Sequence, residues 1–496
     1  MTPIRSILIL GGGTAGWMSA AALARACGPQ VKITLVESAE IGIVGVGEAT
    51  VPSIKQFNAM LDIAEGDFLR ATKATFKLGI QFNDWRRLGH TYFHPFGVYG
   101  LGNDLGAFHQ HWLMLKAHGL IDDDSLDAYS LCATAGLAGK VTQQSPDPAS
   151  PYSKLFSAYH FDASLYAAFM RDYAERFGVT RVEGQVVEVG RDGESGFVCT
   201  LTLRDGRELS ADLFIDCSGF RALLSQDVPY QDWSHWLPMD RAWAMPCEIS
   251  GNRIPYTMST ATEGGWMWRI PLQHRIGNGH VFSSQFMDED RARDILVNAV
   301  PGKALADPRL IRFRTGRREV AWLGNVITIG LSGGFIEPLE STSIYLIQST
   351  LHKLLNQFPD RTFAPANIAL FNKRVAEDYD HVRDIVILHY HLTERDDSAL
   401  WNHVRTMAIP DDLQQRLDVF RERGLIANEP GEMFGATSWL AIMIGQGAMP
   451  RSYSPLMDGL DKAAVRDQMA QIRARIQAAA DPLPTQDAFL KHHGLI

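Results

Sequence analysis

The first 37 residues follow the hydrophobic pattern of a strand, a glycine turn, a helix and a second strand. Ser6 to Leu10 is a short apolar run that is typical of a buried parallel strand. Gly11 to Gly16 supplies the turn, and the Ala- and Leu-rich stretch from Trp17 to Cys27 predicts a helix. Val31 to Glu37 then alternates as a second strand. The chain is therefore predicted to open with a βαβ unit.

After this unit the pattern switches several times between helical and strand-rich blocks, which predicts a mixed α/β chain with interleaved parts. In chain order we predict a glycine-rich loop at 40–53, mainly helix at 54–120 with an aromatic loop at 92–97, irregular structure at 126–152, a strand meander at 180–216, a strand-rich block at 240–290, a buried strand at 326–329, a helix at 338–355, and mostly helix from 367 onward.

Composition narrows the functional classes. The chain has 496 residues, with 56 acidic and 47 basic side chains and a formal net charge of −9. This acidic balance argues against nucleic acid or an anionic membrane as a partner. No run approaches the roughly 20 apolar residues that a membrane-spanning helix needs. The five cysteines are scattered without CxxC spacing, which predicts neither a zinc site nor disulfides and favours the cytoplasm.

The glycine turn matches GxGxxG in the context that the motif requires, between a predicted strand and a predicted helix. The glycines allow a tight turn, a close approach of backbone to a pyrophosphate, and packing of the helix on the strand. Glu37 ends the second strand, where a carboxylate can bind ribose hydroxyls. These features predict a dinucleotide site, NAD or FAD, although a glycine turn in an unrelated α/β fold would show the same residues.

A second apolar strand, Leu213 to Asp216, also ends in an acidic residue and is followed by Gly219. It either brings further backbone to the cofactor or is a core strand with a turn. No second strand–GxGxxG–helix unit is found in the sequence, and the glycines at 100–106 lack a βαβ context. One dinucleotide site is therefore predicted.

Trp266 and Trp268 lie at i and i+2 in the segment Gly265 to Pro271, so they share one face of a strand. From the residues alone, core packing is the simpler explanation. The segment nevertheless resembles the WxWxIP signature of the flavin-dependent tryptophan halogenases. Further segments resemble that family in the same order along the chain: Gly45–Pro52, Phe76–Gly79, Tyr159–Ala163, Asp216–Arg221 and Phe335–Thr342.

The resemblance implies a Rossmann-like FAD-binding module of the flavin monooxygenase type, with an interleaved substrate region and a mainly helical C-terminal part. We expect residues 1–366 to form the FAD- and substrate-binding core, and residues 367–496 to pack over the substrate site. The FAD contacts implied by the two flavin loops and the matching segments are Gly11, Gly13, Thr14, Ala15, Gly16, Glu37, Gly47, Glu48, Ala49, Val186, Leu331 and Ile344.

The family resemblance also implies the reaction. Reduced FAD (FADH2) and O2 convert chloride or bromide to hypohalous acid, which passes through an internal tunnel to a separate aromatic substrate. The expected substrate is indole, tryptophan or a tryptophan derivative. The flavin would be reduced by a separate NADH-dependent flavin reductase, and the resemblance allows a homodimer.

The matching residues receive roles from the same resemblance. Lys77 either hydrogen-bonds hypohalous acid or forms a haloamine, Glu340 stabilises the cationic ring intermediate and takes its proton, and Ser341 links the flavin and substrate sites. From residue type and local pattern alone, Lys77 is predicted to be a surface lysine on a helix, and Glu340 an acidic residue in the first turn of a helix. The halide would bind at Thr342 and Ser343, where a serine replaces the usual glycine and leaves the halide preference open.

The substrate pocket is expected to combine an aromatic sandwich with a wall of tryptophans. By resemblance, His94 and Phe96 stack on the indole, and Trp266 and Trp268 separate the arene from the flavin. Tryptophan-specific members carry adjacent tyrosines and a glutamate in a late lid. Residues 427–456 lack a Tyr-Tyr pair, so a smaller indole, or an indole within a larger molecule, fits the sequence as well as tryptophan does. The candidate substrate contacts in this segment are Glu432, Phe434, Trp439, Arg451 and Tyr453.

Two other functions are alternatives to a halogenase for this sequence. A single-component aromatic hydroxylase would use the same flavin site, and it would oxidise NADPH without a partner. A non-catalytic flavin-binding protein would need neither Lys77 nor Glu340 nor the tryptophan pair.

Overall fold

The computed structural model describes residues 2–38, 47–100 and 108–496. Gly45 and Val46 of the second predicted flavin loop, and most of the glycines at 100–106, lie outside the described residues. Within the described part the chain is mixed α/β, as the sequence predicts.

The strands are short and spread over the first 335 residues. In chain order they are β1 (Ser6–Leu10), β2 (Lys32–Glu37), β3 (Gly47–Ala49), β4 (Thr75–Lys77), β5 (Gly79–Asn83), β6 (Thr91–Pro95), β7 (Ala158–Asp162), β8 (Thr180–Glu183), β9 (Val186–Arg191), β10 (Val198–Leu203), β11 (Glu208–Leu209), β12 (Leu213–Asp216), β13 (Tyr230–Asp232), β14 (Arg241–Cys247), β15 (Thr257–Ala261), β16 (Gly265–Pro271), β17 (Ile276–Phe282), β18 (Arg309–Arg312), β19 (Gly316–Arg318), β20 (Trp322–Leu323), β21 (Val326–Thr328) and β22 (Gly334–Phe335).

The helices become dominant after residue 343. In chain order they are α1 (Thr14–Cys27), α2 (Ser53–Met60), α3 (Glu65–Thr72), α4 (Phe108–Ala117), α5 (Leu131–Leu137), α6 (Ala163–Arg176), α7 (Glu289–Ala299), α8 (Ser343–Asn356), α9 (Pro365–His391), α10 (Ala399–Thr406), α11 (Asp411–Arg423), α12 (Ala436–Gly445), α13 (Lys462–Ala480) and α14 (Gln486–His492).

Residue contacts divide the chain into two compact units whose segments alternate along the sequence. The first unit, here the flavin-loop unit because it contains the GxGxxG turn, comprises Met1–Ala74, Phe161–His235 and Phe313–Asp380. The second, here the tryptophan-strand unit because it contains Trp266 and Trp268, comprises Thr75–His160, Trp236–Arg312 and His381–Ile496. The division at residue 366 stays a prediction.

The flavin-loop unit is built on a six-stranded sheet in the order β20-β21-β12-β1-β2-β8. All neighbouring strands run parallel except β20, which pairs antiparallel with β21 at the edge. Ile7 pairs with both Leu213 and Ile33, so β1 is a central strand and its side chains are buried on both faces. The predicted first strand, helix and second strand are confirmed, with β2 beginning at Lys32.

The tryptophan-strand unit is built on a seven-stranded sheet in the order β18-β14-β17-β16-β15-β5-β6. Its pairings are antiparallel except for the parallel pair of β15 with β5. A separate antiparallel pair joins β4 to β7 and sets Thr75 opposite His160. These strands carry the candidate catalytic lysine, the tryptophan pair and the histidine of the aromatic segment.

Four of the predicted blocks are wrong in part. The loop predicted at 40–53 contains strand β3. Residues 75–95 form β4, β5 and β6 where mainly helix was predicted, because these short segments pair with strands that lie far away in the sequence. The block predicted to be irregular contains α5, which Ser130 caps through its side chain. The helix predicted to begin at Pro338 begins at Ser343, because Ser341 adopts the left-handed conformation with φ of 61° and interrupts it.

Candidate active site

The glycine turn of the flavin-loop unit leaves room for backbone to approach a ligand. A Cβ at Gly16 would lie 1.8 Å from the Gly11 carbonyl oxygen, so only glycine allows α1 to pack this closely on the turn. Gly11 has φ of 117°, and a Cβ there would collide with the carbonyl of Cys217 after β12. A Cβ at Gly13 would meet no atom within 4 Å, so the face it points to is open.

The start of α1 supplies the donors for an anion at this open face. Gly13 is the N-cap and no side chain caps the helix, and the first turn, which includes Thr14 and Ala15, holds no acidic residue. Such a terminus presents unsatisfied N–H groups and a partial positive charge. The turn and the helix start therefore fit the pyrophosphate of a dinucleotide.

Glu37 lies at the end of β2 beside the glycine turn. Its carboxylate accepts hydrogen bonds from Trp17 Nε1 at 3.3 Å and from Arg181 Nε. A Cβ at Gly12 would overlap the Glu37 carboxylate, which places this acid directly against the loop. Both contacts hold the carboxylate where a ribose hydroxyl can donate to it.

The segment from β12 to Gly219 packs on the glycine turn, but its acidic residue, Asp216, is hydrogen-bonded within the segment that follows β12. The Asp216 carboxylate accepts hydrogen bonds from the Ser218 N–H at 3.0 Å, the Ser218 hydroxyl at 2.6 Å and the Leu224 N–H at 2.9 Å. Burial raises the pKa of Asp216 above its usual value. Asp216 therefore stabilises its own turn, while the adjacent Cys217 carbonyl shapes the loop.

The remaining predicted FAD contacts have different surroundings. Leu331 follows Gly330, whose Cβ position is 2.7 Å from the Ala15 side chain, so this turn lies against the start of α1. Ile344 is buried in the first turn of α8, and Val186 packs against the hydrophobic core under β9 and β10. Of the second flavin loop, Gly47, Glu48 and Ala49 form β3, and burial raises the pKa of Glu48 to about 7.

The catalytic acid predicted from sequence lies in a short 3₁₀ turn, Pro338–Glu340, that precedes α8. Glu340 is 2% exposed. The next residue, Ser341, has φ of 61°, a left-handed conformation that costs a non-glycine residue about 1–3 kcal/mol and that clusters at functional sites. The chain thus turns sharply between the acid and the helix.

Thr342 and Ser343 begin α8 and fit an anion. Thr342 is fully buried, and its hydroxyl has no hydrogen-bond partner among the described residues. The first turn of α8 contains no acidic residue, so its N–H groups and partial positive charge are available to an anion. A buried, unsatisfied donor beside a helix N-terminus is consistent with the predicted halide site.

Lys77 lies on β4 in the tryptophan-strand unit and is completely buried. A surface lysine on a helix, the alternative from sequence alone, is therefore wrong. The Nζ atom lies 5.1 Å from the centroid of the Phe96 ring, within range of a cation–π interaction. A lysine is almost never fully buried without a partner or a function, so its position sets it apart from the surface lysines.

His160, on the neighbouring strand β7, lies in the electrostatic field of this lysine. Its Nε2 and Nδ1 atoms lie 2.9 Å from the Thr257 hydroxyl and 3.3 Å from the Thr75 hydroxyl. Burial, and secondarily the charge of Lys77, hold the pKa of His160 well below its ordinary value. The His160 imidazole is therefore held neutral near the buried Lys77 side chain.

The two tryptophans of β16 face the same side of the sheet. Trp266 and Trp268 have ring centroids 6.2 Å apart and are 1% and 7% exposed. Gly279 lies opposite Trp268 on β17, and a Cβ there would be 2.1 Å from the indole ring, so the glycine makes room for it. The Trp268 Nε1 atom has no hydrogen-bond partner among the described residues.

The aromatic segment predicted as a loop is largely strand β6, with His94 at 3% exposure. The Phe96 N–H donates to the Leu78 carbonyl at 2.8 Å, which fixes Phe96 next to the strand that carries Lys77. The His94 ring lies 6.4 Å, centroid to centroid, from the ring of Phe434. The tryptophan-strand unit thus brings together the predicted catalytic lysine and the predicted aromatic sandwich residues.

Comparison with known proteins identifies the family. The tryptophan halogenase family model matches residues 6–462. The tryptophan 6-halogenase of Streptomyces toxytricini is 36% identical, with 98% of each chain covered. The chain belongs to the tryptophan halogenase family. It is a flavin-dependent halogenase that uses FADH2, O2 and a halide, not the single-component hydroxylase that was weighed as the alternative.

Solved halogenase structures match the same fold over nearly the whole chain. A flavin-dependent halogenase from Xanthomonas campestris has a TM-score of 0.95 and 43% identity, covering 99% of this chain and 98% of its own. One from Brevundimonas sp. BAL3 has a TM-score of 0.94 and 43% identity, covering 99% of both chains. No helix in the described residues of this halogenase is long and apolar enough to cross a membrane.

The lid segment of this halogenase holds an ion pair that the sequence did not reveal. Both carboxylate oxygens of Glu432 accept hydrogen bonds from the Arg416 guanidinium, and the Glu432 side chain is 3% exposed. The same guanidinium lies 5.2 Å from the ring centroid of Trp439. The 16-residue separation carries no helical or strand periodicity, so no local signal could have found this pair. Arg451 and Tyr453 instead bind Glu422 and Asp458 at the surface.

Proposed function

We propose that this chain oxidises chloride or bromide with FADH2 and O2 and transfers the halogen to an indole-type arene. In the first stage FADH2, O2, halide and a proton give FAD, water and hypohalous acid. In the second stage the halogen replaces a ring hydrogen, and the hydroxyl of the acid leaves as water. Bound FADH2 supplies two of the four electrons that reduce O2, and the halide supplies the other two as it is oxidised to hypohalous acid.

The flavin-loop unit supplies the proposed FAD contacts. The turn Gly11–Gly16 and the start of α1 hold the pyrophosphate, Glu37 accepts from the ribose, and Leu331 and Ile344 line the cofactor. The open space at Gly13 and the uncapped helix terminus support this assignment. Gly47, Glu48, Ala49 and Val186 complete the proposed set.

The halide is assigned to the N-terminus of α8. The buried Thr342 hydroxyl and the N–H groups at Thr342 and Ser343 can donate to an anion of either size. Ser343 is partly exposed, so its hydroxymethyl group occupies space that a glycine would leave free. Its effect on the choice between chloride and bromide is testable by replacing it with glycine.

Lys77 activates the oxidant. Its ammonium group can donate to the oxygen of hypohalous acid and make the halogen more electrophilic, an effect that is strong where water is excluded. As a neutral amine, Lys77 instead forms an N–halogen bond and releases water, and it recovers its N–H when the arene takes the halogen. Both routes use the same buried atom, and both require it to be present.

Glu340 completes the substitution. Its carboxylate stabilises the positive charge of the ring intermediate and takes the proton that the halogen displaces, a contribution of about 10²–10⁴ in rate. Burial at 2% exposure and the sharp turn at Ser341 hold the carboxylate in place. His94 and Phe96 stack on the arene, while Trp266 and Trp268 keep it from the flavin.

The partners follow from the same chemistry. We propose that a separate NADH-dependent flavin reductase supplies FADH2, because the sequence has one dinucleotide motif. Cytoplasmic location and a homodimer stay predictions, and light scattering of the purified protein measures the oligomeric state.

The complete burial of Lys77 beside Phe96 is the observation that carries the proposal. The test incubates the protein with FAD, a flavin reductase, NADH, O2, indole and either halide, and follows products by mass spectrometry. We expect halogen isotope patterns that disappear with Lys77→Ala and persist with Lys491→Ala, a surface control on α14. Unchanged product yield with Lys77→Ala would refute the role of this lysine.

A further inference from the structure

A cavity of about 580 Å³ lies within the tryptophan-strand unit. Its described lining comes from the chain just after β6, the start of α4, the end of α11 and the first half of α12. The volume is typical of sites that bury a drug-sized ligand, which occupy about 300–1,000 Å³. It exceeds what a few ordered waters require.

The lining is mainly apolar and carries no acidic side chain among the described residues. Its larger apolar members include Val98, Tyr99, Phe108, Leu425, Ile426 and Leu440.

Two of the polar side chains on the cavity wall, those of His109 and Gln110, form hydrogen bonds with backbone groups. His109 Nε2 lies 2.6 Å from the Gly424 carbonyl. Gln110 donates to the same carbonyl and accepts from the Ser454 N–H. Arg423 is the one charged side chain of the described lining, so most of the wall suits a neutral ligand.

The segments that line the cavity adjoin, along the chain, the segments that carry the residues assigned to the arene. Val98 and Tyr99 follow Phe96 closely in the chain, and Leu440 follows Trp439 on α12. Helix α12 packs against β6, the strand that carries His94. We therefore take the cavity as the space for a group attached to an indole held by His94 and Phe96.

Neither glutamate of the lid segment 427–456, Glu429 or Glu432, is among the described residues that line the cavity. Glu432 is bound through both oxygens to Arg416 and is buried, so recruiting it would leave the guanidinium unpaired. Phe434 places an aromatic ring beside His94. Arg423 lines the cavity but is exposed, and an exposed pair with a carboxylate is worth only about 0–1 kcal/mol.

We infer that the substrate is a neutral indole bearing an apolar substituent larger than a methyl group, and that this substituent occupies the cavity. Free amino-acid indoles are disfavoured, because no described lining residue is acidic and the charged lining side chain, that of Arg423, is exposed. The inference rests on the proposed halogenase reaction and specifies its substrate class.

The test compares four arenes with the reductase-coupled enzyme: indole, 3-phenylindole, indole-3-acetate and L-tryptophan. Monochlorodimedone measures hypohalous acid in parallel without an arene. We expect kcat/KM for 3-phenylindole to exceed that for L-tryptophan by at least about tenfold, because an additional ring is buried and no charge is. Indole-3-acetate measures any contribution from Arg423.

A variant locates the substituent. Ala436 lines the cavity at the exposed start of α12, so Ala436→Trp fills space without entering the core. We expect the ratio of kcat/KM for 3-phenylindole to that for indole to fall at least about tenfold, through loss of buried apolar contact. Gln415→Trp on α11 is exposed and lies off the cavity, so it is the matched control and should keep the ratio.

The outcomes distinguish a wrong substrate class from a wrong reaction. Equal or better turnover of L-tryptophan, or an unchanged ratio in Ala436→Trp, overturns the inference while leaving the halogenase reaction intact. If indole is halogenated and 3-phenylindole is not, the inference is likewise overturned and the halogenase reaction is left intact. The absence of both trapped hypohalous acid and halogenated arene overturns the proposed function. The wild-type ranking of arenes stands without the variants, so a misfolded variant does not remove the test.

Discussion

Replacing Gly16 with alanine tests the cradle assigned to FAD. The added Cβ would lie 1.8 Å from the Gly11 carbonyl oxygen, whereas real Cβ atoms essentially never approach within 3.0 Å of another atom. The atom it meets is backbone, so α1 and the turn must move apart by more than an ångström. Overpacking of this kind costs about 1–3 kcal/mol of stability. It also moves the N–H groups that we assign to the pyrophosphate.

Gly13→Ala is the informative partner of this variant. Its Cβ would meet no atom within 4 Å, and its φ of −77° suits alanine. The apoprotein should therefore lose less than about 1 kcal/mol, the scale of a changed N-cap. The methyl group nevertheless enters the open face assigned to the pyrophosphate, so FAD binding should weaken.

The assay titrates apoprotein into FAD, follows flavin fluorescence, and measures thermal unfolding with and without FAD. We expect both variants to raise the Kd for FAD at least about tenfold, or about 1.4 kcal/mol, and only Gly16→Ala to lower the Tm of the apoprotein clearly. Gly193→Ala also meets no atom within 4 Å and lies outside the cradle, so it should change neither quantity. Wild-type affinity in Gly16→Ala, or equal loss of apoprotein stability in both variants, would refute the reasoning.

Two further predictions concern groups of the tryptophan-strand unit. The fold lowers the pKa of His160, so as the pH falls below about 6.5 the unfolded chain binds a proton at this histidine that the folded chain does not. The Tm should therefore fall between pH 7 and pH 5. The fall should be less steep in His160→Gln than in the control variant His118→Gln. Arg416→Met leaves Glu432 buried without its guanidinium and should cost about 3–5 kcal/mol, measured by urea unfolding. The double variant with Glu432→Gln should recover much of that loss, and additive losses would show that the two side chains are not coupled.

The parts of the fold that the sequence predicts well are those with local causes. The strand, glycine turn and helix at 6–27 follow from a short apolar run and from glycines that only a tight turn requires. Strands β5 and β6 could not be predicted in this way. Their hydrogen bonds go to each other and to β15, which lies about 180 residues further along the chain.

In the candidate site too, features with local causes could be predicted and features that depend on tertiary packing could not. The sequence placed Lys77 in a recognisable motif, but its complete burial and its contact with Phe96 depend on strand pairing. The start of α8 was placed too early, since nothing in the sequence marks Ser341 as left-handed. The pairing of Arg416 with Glu432, and of Phe434 with His94, arises from tertiary packing alone.

The alternation of segments between the two units has a consequence for synthesis on the ribosome. Strand β1 carries the glycine turn, yet its neighbour β12 ends at Asp216 and the next strand, β21, begins at Val326. At about 5–20 residues per second, the sheet under the flavin loop waits roughly 15–65 s for β21 after β1 is made. An N-terminal fragment that stops short of β21 exposes the open edge of β12 to other chains. Translation through β21 is thus a condition for completing the sheet under the cofactor site, and termination before β21 should yield aggregates without flavin.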